Sequence, residues 1–323
     1  MFTLRFDMRA PATGAPAPDL YASALEMAAW SESRGAVAAI VCEHHAQPDG
    51  YLPAPMLLAA ALGARTTTLP IVVAVVVLPL YDPIRLAEEM IVVDLISRGR
   101  VSYVAAVGYR PEEYELFGVP FHRRGRIADE HLAVLLAAKA GEPFDHEGAT
   151  RRLTPMPVTP GGPSVSWGGR SLAAARRAGR NGIGLMAQVG DPALQVAYED
   201  AARAAGHEPG WCFLPPADLP TCVFVADDLD RAWEELGPFL MHDVRAYGEL
   251  NGGDDAIASI SAATTADELR AEAASHQIVT VDEAVAMIRG GLPLPLHPLV
   301  GGLPPEIAWT YLRTVTDEVM PAL

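Results

Sequence analysis

Short runs of β-branched and apolar residues alternate along the chain with longer Ala-, Leu- and Arg-rich segments, the pattern of parallel strands joined by crossover helices. Eight runs predict strands: Thr3–Met8, Ala36–Cys42, Pro70–Val77, Arg100–Val107, Ser164–Trp167, Ile183–Met186, Thr221–Val225 and Leu294–Leu299. Pro70–Val77 is apolar throughout, as a strand buried on both faces should be. Between them, helices are predicted over Asp19–Arg34 with Asp19 as cap, Pro53–Ala64, Gly125–Lys139 and Leu172–Arg177. Asp82 followed by Pro83 supplies an N-cap and a first-turn proline for a further helix running to Ile96.

Eight such units predict an α/β fold, a single (β/α)8 TIM barrel over residues 1–323, in preference to an open doubly wound sheet. No Gly-x-Gly-x-x-Gly follows the first strand, which argues against a dinucleotide-binding fold. Two stretches interrupt the alternation. Phe144–Leu153, around Gly148, predicts a β-hairpin outside the barrel. Tyr247–Ala274 predicts a long excursion after the seventh strand, with the properties of a mobile active-site loop.

Composition narrows the function classes. The chain has 323 residues, half of them hydrophobic, enough to bury a large core. With 24 Lys+Arg against 40 Asp+Glu, the formal net charge of −16 would repel a nucleic-acid backbone. Lys139 is the single lysine, so there is no polybasic face for a membrane surface. The longest apolar run, Leu69–Leu80, is short of the ~20 residues of a membrane helix, and the first 18 residues lack the order of a signal peptide. Cys42, Cys212 and Cys222 lack CxxC spacing, and no disulfide framework or zinc cluster is expected. These features together predict a cytoplasmic protein.

In a barrel the chemistry sits at the C-terminal ends of the strands. Glu43-His44-His45 lies there after the second strand. Two adjacent histidines diverge, unlike the HxH pairs of barrel metal sites, and no metal is expected. Gly168-Gly169-Arg170-Ser171 follows the fifth strand and opens a helix. Its glycines allow close backbone approach to an anion, and Ser171 can cap the helix at its positive end. Gly108-Tyr109-Arg110 places a cation after the fourth strand.

These segments, in order, resemble the bacterial luciferase-like monooxygenase family. The resemblance runs through Glu43-His44-His45, Leu78–Glu89, Asp94–Arg100, Glu115–Val119, Trp167-Gly168-Gly169 and Asp317–Pro321. It implies a flavin-dependent enzyme that uses reduced FMN and dioxygen to oxidise a small organic substrate, such as an aldehyde or another carbonyl compound. A separate flavin reductase and a homodimer are further implications. Hydride transfer with 8-hydroxy-5-deazaflavin is the second reading, and a non-catalytic flavin binder the third. The doubled histidine favours FMN, because deazaflavin members more often carry an acidic residue followed by one histidine.

Residue by residue, the resemblance implies that His44 stands beside the flavin and the reacting oxygen, with Glu43 or His45 orienting it. Ala74-Val75 matches a strand-three bulge where the family often has a non-prolyl cis peptide behind the flavin ring. Ser171, with Gly168, Gly169 and Arg170, falls at the flavin phosphate. Val107 stands where luciferase has a phosphate-binding arginine, which leaves Arg110 or Arg170 as substitute cations. Apolar residues on nearly all sides of Pro53–Ala64 imply a dimer through this helix and its neighbour.

Overall fold

The computed structural model describes residues 1–216, 219–251 and 260–323. Twelve strands occur among them: β1 (Phe2–Phe6), β2 (Ala36–Val41), β3 (Ile71–Val77), β4 (Val101–Ala106), β5 (Phe144–His146), β6 (Ala149–Arg151), β7 (Ser164–Gly169), β8 (Gly184–Ala187), β9 (Cys212–Phe213), β10 (Cys222–Val225), β11 (His276–Val279) and β12 (Leu294–Leu296). The chain forms two compact units, one of residues 1–53, 65–70 and 217–323, the other of residues 54–64 and 71–216.

In the first unit β1 lies between β12 and β2, and all three run parallel. Phe2, Leu4 and Phe6 of β1 are fully buried. The two-residue period of a strand therefore turns Thr3 and Arg5 to the opposite face. β10 and β11 pair in parallel as well.

In the second unit β3, β4, β7, β8 and β9 follow one another as parallel neighbours. The register of β3 against β4 shifts between Ala74 and Val76, and the Ala74–Val75 peptide bond is cis. Strands β5 and β6 form an antiparallel hairpin whose turn residues, Glu147 and Gly148, both have positive φ, as a tight hairpin turn requires. Asp94, buried on the helix Pro83–Ser97, anchors the chain beyond this hairpin. Its carboxylate accepts from the Val158 and Thr159 amides at 2.7 and 3.0 Å.

The α/β alternation of parallel strands is as expected, but several details differ. The first helix spans Ala17–Ser31 with Pro16 at its cap, so Asp19 sits in the first turn rather than capping it. Strands β9 and β11 were not anticipated. Within the expected excursion at 247–274, two stretches are helical: the helix Leu229–Leu250 extends into it and a second helix covers Ala266–Glu272. Residues 252–259 of that stretch lie outside the described residues. Among the described residues, no helix is long and apolar enough to cross a membrane.

Candidate active site

The first unit carries the histidine-bearing loop. Chain leaving β2 at Val41 turns Glu43, His44 and His45 into the interior, where they are 2, 9 and 6% exposed. The two-residue period brings Glu43 and His45 to one side, and His45 Nε2 lies 2.8 Å from Glu43 Oε1. Glu43 and His45 thus contact each other. His44 meets the ring of Tyr51, with centroids 4.9 Å apart and planes at 78°. Its amide donates to the Leu52 carbonyl at 3.2 Å, and the Leu52 amide donates to the Asp7 carbonyl at 2.8 Å.

Behind Tyr51 is a buried charge cluster that the sequence reading did not find. Arg9, fully buried, donates to Asp49 and lies 3.3 Å from Asp7 and 3.6 Å from Asp243. His276 Nε2 contacts Asp243 at 2.9 Å while its Nδ1 faces Ser275 Oγ at 2.8 Å. His242 Nε2 lies 2.9 Å from Asp49, and His297 Nε2 is 3.3 Å from Asp7. Burial opposes ionisation of Asp7, yet His297, Arg9 and Arg5 hold its carboxyl well below the usual range. Burial pushes the Tyr51 and Tyr247 phenols up, so both stay protonated at neutral pH. Charges at alternate positions 5, 7 and 9 mark one end of the cluster in the sequence, but nothing local to them points to Asp49, Asp243, His276 or His297.

Atoms of Asp7, Asp243 and His297 lie within 4.8 Å of one another, a spacing that could hold a metal ion. Arg9 Nε, however, is already between the two carboxylates, and its guanidinium would repel a second cation there. Arg9 is the cation that the three carboxylates surround.

The second unit carries the glycine turn. Ser171 caps the helix Leu172–Arg180, its Oγ accepting from the Ala174 amide at 3.2 Å, which leaves the hydroxyl proton to be donated. Gly169 has φ +148°, and a Cβ built on Gly168 would come within 3.0 Å of Val104 and 3.3 Å of Val75. The side chains of Val104 and Val75 therefore cover Gly168. Arg170 and Ser171 are exposed. Arg110 precedes the helix Pro111–Leu116 with Nη2 3.6 Å from Glu112, and its buried Nη1 has no hydrogen-bond partner. At Val107 the carbonyl accepts from the Tyr114 hydroxyl.

The family model described as luciferase-like monooxygenase matches residues 2–287, and the chain belongs to that family of enzymes. It is 29% identical over 214 residues to the uncharacterized protein y4vJ of Sinorhizobium fredii, covering 64% of this chain and 61% of y4vJ. The chain thus spans less than two thirds of the curated relatives it matches. Its fold is shared with the monooxygenase RslO1 from Streptomyces bottropensis (TM-score 0.76, 21% identity, 100% and 99% of the two chains). It is also shared with the oxygenating constituent of 3,6-diketocamphane monooxygenase of Pseudomonas putida, solved with FMN (TM-score 0.68, 18% identity, 100% and 98%).

Proposed function

We propose that the protein is a flavin-dependent monooxygenase on a single (β/α)8 barrel, using reduced FMN and dioxygen to oxidise a small organic substrate in the cytoplasm. The observation that carries this reading is the segment Gly168–Ser171, where the end of β7 leads into a hydroxyl-capped helix start with Arg170 and Ser171 exposed. These residues fit an FMN phosphate and the edge of its ring.

Reduced flavin, when bound, supplies the two electrons that activate dioxygen. The protein's part is to hold, orient and move protons. Ser171 Oγ–H donates to the phosphate, and the helix start and Arg110 add positive potential. Ala74–Val75 would border the ring. His44 gives and takes the proton that oxygen transfer requires, through an imidazole with one donor and one acceptor nitrogen. The Glu43–His45 pair keeps the neighbouring loop in place. A separate flavin reductase supplies the reduced cofactor, and the functional form is a homodimer.

The test is titration of the purified protein with FMN and, separately, with 8-hydroxy-5-deazaflavin, followed by the visible spectrum. The expected result is saturable binding of FMN. Saturation by the deazaflavin alone would replace oxygenation by hydride transfer, and binding of neither would remove the flavin reading.

A further inference from the structure

We infer that Tyr51 is a positioning residue for His44, locked from behind by Arg9 and Tyr247. The inference deepens the reading of His44 as the proton-handling group and rests on it for its catalytic meaning. The χ2 torsion of histidine is broad and roughly two-fold, so the plane of an imidazole is fixed by its neighbours rather than by its own rotamer. Tyr51 is such a neighbour for His44, 4.9 Å away at 78°. The same short segment also holds the His44 main chain, through the hydrogen bond that the His44 amide donates to the Leu52 carbonyl.

Tyr51 is itself immobilised on two further sides. Its hydroxyl is 2.9 Å from the Tyr247 hydroxyl, which accepts a bond from Arg5. The Arg9 guanidinium carbon stands 4.6 Å from the Tyr51 ring centroid and 5.1 Å from that of Tyr247. Arg9 cannot swing away, because Asp7, Asp49 and Asp243 surround it. A phenylalanine would fill the same space with no buried hydroxyl to satisfy. The tyrosine adds a directional bond, and buried polar networks of this kind specify orientation more than they add stability.

The test uses cofactor-free protein carrying ¹³C at histidine Cε1, with the His44 resonance identified as the one missing from His44→Ala. Tyr51→Leu is expected to displace that resonance by removing the ring, and Tyr51→Phe to displace it less. Should Tyr51→Leu fail to fold, Tyr51→Phe and Tyr247→Phe carry the test, since each removes one end of the same hydroxyl pair and both must displace the signal. With reduced FMN and aerated buffer, Tyr51→Leu should change the flavin reoxidation rate roughly ten- to a hundredfold. In a His44→Ala background it should change that rate by no more than about twofold, because a residue acting only through His44 has nothing left to act on. An unmoved His44 resonance in folded Tyr51 variants, or an undiminished Tyr51→Leu effect without His44, overturns the inference. A His44→Ala rate equal to wild type overturns the catalytic reading of His44 alone, while a displaced resonance still upholds Tyr51 as the residue that positions it.

Discussion

Arg177 spans from the ring of Trp167 to the carboxylate of Asp129: its guanidinium carbon is 4.9 Å from the ring centroid, and Nε and Nη2 reach the carboxylate at 2.6 and 3.2 Å. Trp167 immediately precedes Gly168, so this side chain pins the strand end from which the glycine turn departs. Arg177→Ala is expected to lower unfolding free energy by about 1–3 kcal/mol, from lost cation–π and charged hydrogen-bond contacts. Urea titration measures the loss. FMN affinity should fall in the same variant, and an unchanged midpoint would show that the turn is held by other contacts.

Ser171→Ala removes both a helix cap and a donor to the proposed phosphate. The cap contributes about 1 kcal/mol to stability, and the donor about 1.5–3 kcal/mol to binding, or ~10–150-fold in FMN affinity. Gly168→Val should weaken binding further, since even its Cβ would press on Val104 and Val75. Fluorescence quenching of FMN reads both variants. Full affinity in the pair would place the phosphate elsewhere.

His44→Ala should keep the fold and most of the flavin affinity. With a verified substrate, product formation should drop roughly 10²–10⁴-fold and reduced flavin should be diverted to hydrogen peroxide. Wild-type product yield would transfer the role to another group, His45 being the next to test.

Asp7, Asp49 and Asp243 all titrate below the ordinary carboxylate range, held there against burial by His297, His242, His276 and Arg9. A carboxylate with a depressed folded-state pKa contributes stability that is full above its unfolded value and lost as pH falls through the folded one. Stability should therefore decline steeply from about pH 4 downward. Asp7→Asn should be less stable at pH 7 by about 1.5–3 kcal/mol, since Arg9 and His297 lose a charged contact while Arg9 keeps Asp49 and Asp243, yet show a shallower decline in acid. Chemical unfolding at stepped pH values measures both, and parallel acid limbs in the two proteins would contradict the assignment.

On the helix Pro55–Arg65, Met56, Leu58, Ala59 and Leu62 are buried, while Leu57 is 74% exposed. The helix Pro83–Ser97 likewise exposes Val92 and Ile96. Covering these side chains by a second copy is the expectation. Sedimentation should give a dimer at micromolar concentration for the wild type and a monomer for Leu57→Glu; a wild-type monomer would dismiss the idea.

What could be read in advance was whatever is written locally. The apolar run at 71–77 announced β3, Asp82-Pro83 announced a helix start that Asp82 does cap, and Ser171 after two glycines announced another. Some local writing was overlooked: Thr265-x-x-Glu268 opens a helix within the stretch expected to be irregular. The cluster around Arg9 was illegible for a different reason. Its members, Asp7, Asp49, Asp243, His276 and His297, are scattered over nearly the whole chain, and only folding brings them together.

That dispersal has an evolutionary consequence. Three buried carboxylates share one guanidinium, and replacing Arg9 would leave all three without that cation in the interior. Drift at these positions must then proceed by compensated exchanges between codons hundreds of bases apart. Such exchanges are rare, so among descendants of this chain the cluster should change as a block, or scarcely at all, while the loops that contact substrate diversify around it.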